Sequence, residues 1–346
     1  GTLLRLVARG DRIEVEAASM DAAAAERPSS VEVRLDSRAA LLTTEIASLR
    51  VRASPIAMRK SELLGDSGAT GFWNDPASAR RVLDDIHRLD GVLAALDSLE
   101  AAVLAASERA NRKTIKERDL ARQSERLDTL EAEAARVSFL LSCSDVRDLG
   151  DAFLALTLVK SQGAGLSAVE KLATMYAGLA KRRGLQVEVI DDRRGGEPPE
   201  DTITLQLSGA GAYATLAGET GLHQVVRGRA DRKDGVREDR DVVRVEVLAV
   251  PADGSFGRDE VRVEARPLKG VKGRLLEKPA LDVHLVHAAS MASVRAWTAG
   301  AKAEAIERLE PLLRARVSVG RGDGVVGASV VRRYTLGPSP LVRDQR

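Results

Sequence analysis

The chain has 346 residues, enough for two or three domains with packed cores. Charged residues make up 30% of it but nearly cancel, with 53 Lys and Arg against 51 Asp and Glu, so partners are selected by local patches rather than by an overall field. The single cysteine, Cys143, excludes an intrachain disulfide and fits a reducing cytoplasm, and no apolar run approaches the ~18 residues of a membrane-spanning helix.

No signal peptide is visible, and the expected location is the cytoplasm with no membrane role. Gly1 in place of Met reads as a trimmed or engineered start and is set aside. Arg outnumbers Lys, which suits phosphate binding but also follows from a GC-rich genome.

Residues 1–55 form an unassigned N-terminal segment with strand-like pieces at Leu3–Val7, Arg12–Glu16 and Val31–Leu35. The Ala-rich stretch Asp21–Ser30 reads as a linker or frayed helix. Residues 56–148 are expected to be a helical domain. Val82, Ile86, Leu89, Leu93, Leu96, Leu99 and Val103 recur at spacings of three and four, and Leu120, Leu127, Leu130 and Ala134 continue the pattern over Ile115–Leu141. A break near Ala105–Lys113 folds the two runs into an antiparallel helical hairpin.

From Asp151 onward the pattern becomes α+β. Strands are expected at Phe153–Val159, Leu185–Ile190, Thr202–Ser208 and Val242–Val250, with helices at Ala168–Arg183 and Ala212–Glu219. Gly184 sits where a helix C-cap belongs, and Asp191–Glu200 reads as a loop. Further strands are expected at Asp259–Arg266, Leu281–Val286 and Ser290–Trp297, followed by a helix over Lys302–Ala315. Ser329–Leu336 is strand-like and returns to the earlier sheet. The expected class is a multidomain α+β protein with a helical hairpin domain, a mixed sheet domain over 149–256 plus 316–346, and a small α/β domain over 257–315.

Chemistry-bearing residues are sparse. His284 and His287 are three apart on a strand, so they point to opposite faces and suit one metal poorly. Cys143 has no basic or histidine neighbour in sequence and reads as a buried thiol. Val159–Gly165, VKSQGAG, lacks the Walker pattern and reads as a turn. No metal or cofactor motif and no Ser/His/Asp order stands out.

The stretch Ala212–Arg227, AYATLAGETGLHQVVR, resembles the signature AYG.LR.E.GVHRLVR of bacterial class I peptide chain release factors. FWNDP at Phe72–Pro76, the run from Ala152 to Asp191, Thr204–Gly209 with Tyr213, and the closing YTLGPSPLVRDQR of Tyr334–Arg346 each resemble family elements in the same order. Their order and spacing over residues 60–346 make the resemblance specific, and it is strongest to the release factor 2 subtype. The resemblance implies a helical domain, a sheet domain facing the decoding centre, and a small module placed in the peptidyl transferase centre. It also implies a structural role for His223.

Family members hydrolyse peptidyl-tRNA with a GGQ loop. Its glycines permit backbone angles and approaches that a Cβ blocks, a backbone N–H stabilises the developing oxyanion, and the glutamine positions water. The ungapped counterpart here is Arg266–His287, and the GGQ positions carry Lys272, Gly273 and Arg274. No GGQ occurs in the sequence. Arg274 is a cation with no acceptor, so the chain is expected not to be a hydrolytic enzyme. Arg266, Lys269, Lys272, Arg274 and Lys278 face Glu277 alone as an acid in that interval. They read as an RNA-phosphate patch or as a solvated basic loop.

Release factor 2 relatives read the stop codon with an SPF tripeptide. The matching positions are Arg229, Ala230 and Asp231, and the nearby HTS element is replaced by Glu238, Asp239 and Arg240. Codon reading is expected to be lost. The surrounding loop, Arg227–Asp241, mixes basic and acidic residues and reads as a solvated tip.

The expectation is therefore a release-factor homologue that binds the ribosome or structured RNA and acts by occupancy. A divergent active release factor is one alternative. The other is a protein-interaction module, using the helical hairpin or residues 1–55.

Overall fold

A computed structural model describes residues 3–9, 12–18, 35–110, 117–143, 145–162, 166–194, 201–231, 235–251, 255–257, 259–268, 281–319, 329–336 and 340–346. The chain divides into two compact units, Pro28–Gly150 and Gly1–Arg27 together with Asp151–Arg346. The expected linker at Asp21–Ser30 lies outside the described residues.

Three helices build the first unit: α1 (Leu35–Ser67), α2 (Pro76–Ala110) and α3 (Glu117–Leu140). Helix α2 starts as its sequence dictates. Asp75 accepts the backbone N–H groups of Ala77 and Ser78 at 3.1 and 3.2 Å, and Pro76 occupies the first helical position, where no N–H is needed. Helices α2 and α3 bury Leu96, Leu99, Val103, Leu127, Leu130 and Ala134, the stripe predicted from their spacing.

Helix α1 joins this hairpin as a third member and corrects the reading of its segment. The strand expected at Val31–Leu35 is not formed at Leu35, which opens the helix, while 31–34 lie outside the described residues. Ala39, Leu42, Ile46, Leu49 and Ala53 give α1 an apolar stripe that closes the same core. Arg50 pairs with Asp97 and Glu100 and Lys60 pairs with Asp90, so α1 runs antiparallel to α2. Arg38 reaches Asp128 and Glu131 while Arg52 reaches Ser138, so α1 runs parallel to α3. Helix α2 also continues to Ala110, beyond the expected start of the break, because Ala106 still packs into the core.

The second unit contains strands β1 (Leu3–Arg9), β2 (Arg12–Ala18), β3 (Ala152–Lys160), β4 (Gln186–Asp192), β5 (Thr202–Ser208), β6 (Gly221–Asp231), β7 (Gly235–Ala249), β8 (Val261–Pro267), β9 (Leu281–His287), β10 (Ser293–Thr298), β11 (Val330–Leu336) and β12 (Leu341–Asp344). Its helices are α4 (Leu166–Arg182), α5 (Ala212–Leu216) and α6 (Lys302–Val319). Nine strands form one sheet in the order β1-β2-β12-β11-β6-β7-β3-β5-β4, and β10-β9-β8 form a second. Strand β11 runs parallel to β6, so the chain's last segment does return to the sheet, and β12 then adds a strand the sequence reading omitted.

Alternation sorts the large sheet into two faces. Leu154, Leu156, Val225, Val243, Val245 and Tyr334 pack on one face against Val169, Leu172, Ala173 and Tyr176 of α4. Phe153 and Leu248 point the other way, into a core shared with Val283 and Leu285 of the small sheet and Leu309, Leu312 and Leu313 of α6. Helix α4 ends where Gly184 adopts φ 68, and the Leu185 N–H bonds back to the Ala180 carbonyl at 2.9 Å, the closure expected of a left-handed cap.

Candidate functional site

Gly221 opens β6 at φ 151, and a Cβ there would lie 2.0 Å from Cγ2 of Val331 on β11. Glycine lets the two parallel strands close. The rest of the signature stretch locks them. His223 is fully buried, and its Nε2 donates to the Glu219 carbonyl at 2.9 Å, which leaves Nδ1 to accept the Tyr334 hydroxyl at 3.1 Å. Tyr176 donates to Glu219 Oε2 at 2.9 Å, and Arg332 pairs with the same carboxylate. Desolvation holds the His223 imidazole down at about 4, and burial pushes the Tyr334 phenol up to about 12. These residues tie β11 and β12 to the sheet. The signature is an anchor, and His223 is structural.

Arg229, Ala230 and Asp231 lie on β6. The segment Arg227–Asp241, expected to be a loop, is largely a β-hairpin. Arg229 is in register with Arg237, Ala230 with Val236, and Asp231 with Gly235. Pairing the backbone satisfies amides that a long open loop would leave to water. At the hairpin's base the fully buried Asp241 accepts Arg227 and, at 2.7 Å, the Ser161 hydroxyl.

Lys269, Lys272, Gly273, Arg274 and Lys278 lie outside the described residues. The strands that carry them are paired as far as Pro267 and Leu281. Arg266 stands in register with Asp282 on the outward face of the small sheet, highly exposed and 3.9 Å from Glu264. An open polar groove beside it is lined by Glu264, Arg266, Asp282, His284 and Arg295. Arg295 holds Asp282 in a two-bond fork at 3.0 and 2.7 Å, so the groove carries cations and carboxylates together.

Strand β10 begins at Ser293, later than expected. Ser290 sits in the preceding turn, with its hydroxyl 2.7 Å from His287 Nδ1. His284 and His287 face opposite sides of β9, as their spacing required, and no cluster of metal-ligating side chains exists among the described residues. Cys143 is half-buried, and burial pushes its thiol up.

Asp191 and Asp192 overturn the loop reading of Asp191–Glu200 at its start. Both end strand β4 and both are buried. Arg193 donates to Asp191 at 2.8 Å, and Arg194 forks onto Asp192 at 2.7 Å through each of two nitrogens. Asp191 also accepts the backbone N–H of Trp297 at 2.8 Å, joining the edge of the large sheet to the edge of the small one. Desolvation pushes its carboxyl up to about 6, against the pull of Arg193. The alternating DDRR pattern, with each acid two residues before its cation, was the available signal.

A protein-family model described as the PCRF domain matches residues 56–235, just over half of the chain. Peptide chain release factor 2 of Kineococcus radiotolerans is 27% identical over 338 residues, spanning 88% of each chain. Peptide chain release factor 2 of Phenylobacterium zucineum is 27% identical over 299 residues, 80% of this chain and 79% of that one. The solved structure of release factor 2 from Thermus thermophilus has a similar fold, with a TM-score of 0.50 and 23% identity over 84% of this chain and 88% of that one. With the signature stretch serving as the anchor of its central sheet, this chain belongs to the peptide chain release factor family as a release factor 2-like member.

Proposed function

We propose that the chain is a non-hydrolytic release-factor homologue that binds the ribosome or structured RNA in the cytoplasm and acts by occupancy, as in rescue, hibernation, translational regulation or RNA protection. The observation that carries this reading is Lys272–Gly273–Arg274 at the position of the family's catalytic tripeptide. A lysine there forfeits the first glycine's freedom, and an arginine supplies no acceptor for a water proton. The replacement of the codon tripeptide by Arg229, Ala230 and Asp231 supports the same reading. Arg266, Lys269, Lys272, Arg274 and Lys278 then serve as phosphate contacts, which give affinity without sequence selection.

Co-sedimentation with 70S ribosomes tests the proposal. Binding at low salt that weakens as salt rises is expected. No co-sedimentation at low salt removes the ribosome reading. Charge reversal at Lys269, Lys272 and Arg274 separates the RNA reading from a protein-interaction module. Unchanged ribosome association favours the module.

A further inference from the structure

We propose that the open face of the nine-stranded sheet is a second RNA-backbone contact surface, with Arg240, Arg244, Arg333 and Arg343 taking phosphates. This rests on the RNA-binding reading above and assigns that binding a surface separate from the basic loop.

Strand register places the four arginines. Arg244 is opposite Leu222, and Arg240 is opposite Val226, on the β6 side that alternates away from His223 and Val225. Arg333 is in register with Gln224, two residues from Leu222 and from Val226, so it shares that face. Arg343 is directly opposite Arg333. Arg240, Arg244 and Arg343 are exposed, and Arg333 is half-buried. The small sheet and α6 pack over the Phe153 and Leu248 end of this face, on β3 and β7.

Charge on the face is one-sided. Asp241 and Asp344 alternate onto the opposite side, where Asp241 binds Arg227 and Asp344 binds Arg346. Among the described side chains, the carboxylate on this part of the face is Glu246, held by Arg316 at 3.1 Å. Glu14 of β2 occupies the position in register with Arg343. Like charges directly opposite on neighbouring strands destabilise a sheet, and Arg333 with Arg343 is such a pair. A bound phosphate between them relieves that repulsion.

The dimensions suit a polyanion. Strands β12, β11, β6 and β7 are consecutive neighbours, which spreads the arginines over about 14 Å. Adjacent members lie within a Debye length of about 8 to 10 Å, so their fields add. Guanidinium forks match phosphate oxygens in pairs.

The test measures binding of the full chain to 70S ribosomes by pelleting and to a fluorescein-labelled stem-loop RNA by anisotropy, across a salt series. R244E/R343E is expected to weaken binding by roughly tenfold or more and to reduce the salt slope by about two. R244Q/R343Q changes both in the same direction by less and decides the matter if the glutamate variant does not fold by circular dichroism. The loss recurs when the sheet-face substitutions are added to K269E/K272E/R274E. Wild-type binding that both sheet-face variants match, with an unchanged salt slope, overturns the surface and leaves the proposed function standing. Wild type that binds neither probe overturns both.

Discussion

His223 and Asp191 are the two buried groups whose titration bears on stability, and they act in opposite directions. His223 sits at about 4 in the folded chain against about 6.5 unfolded, so the unfolded state takes up its proton first and stability falls as pH drops through that window, by up to about 3 kcal/mol. Asp191 sits at about 6 against about 4 unfolded, so the folded state takes up its proton first. Stability rises as pH drops from about 6 to about 4, again by about 3 kcal/mol. The two contributions oppose each other in the wild type. Asp191→Asn exposes the His223 effect and is expected to make the sheet unit weaker at about pH 4.5 than at about pH 7. His223→Gln exposes the Asp191 effect and reverses the trend. Urea unfolding followed by Trp297 fluorescence in a Trp73→Phe background reads both. Identical pH trends in the two variants contradict these assignments.

At the scale of elements, α1 is the addition that the helical unit depends on. Leu49 is fully buried against α2 and α3, while Val51 faces solvent. Leu49→Ala is expected to destabilise the unit by about 3 kcal/mol, and Val51→Ala by less than about 0.5 kcal/mol. Hydrogen exchange across α1 and α3 compares them, and equal effects contradict the three-helix packing. This helix was readable from Ala39, Leu42, Ile46 and Leu49, but Pro55 inside it breaks the helical pattern and obscures its continuity. Strands β3, β5 and β9 and helix α4 were legible because each has one period and clear stops, such as Gly184. The β6–β7 hairpin was read as a loop because its tip is charged, and charge alone does not distinguish a solvated ladder from a solvated coil. Buried Asp191 and Asp192 were missed for a related reason. Carboxylates read as surface until the arginines that neutralise them are placed beside them.

Across the whole molecule, ancestry and activity separate. Gly221, Glu219, His223 and Tyr334 preserve the central sheet of a release factor, and their role is structural. The replaced tripeptides at Lys272–Arg274 and Arg229–Asp231 were visible in the sequence because their flanks align. The sheet-face arginines were not, since Arg240 and Arg244 lie about ninety residues before Arg333 and Arg343 and meet only through the parallel return of β11. A scaffold retained without the residues for hydrolysis is expected to occupy its site and leave the ester intact. The direct test is release of formyl-methionine from stop-codon-programmed 70S ribosomes saturated with the protein. The account predicts release at the level of ribosomes alone, with the protein bound. Stop-codon-dependent release above that level contradicts it.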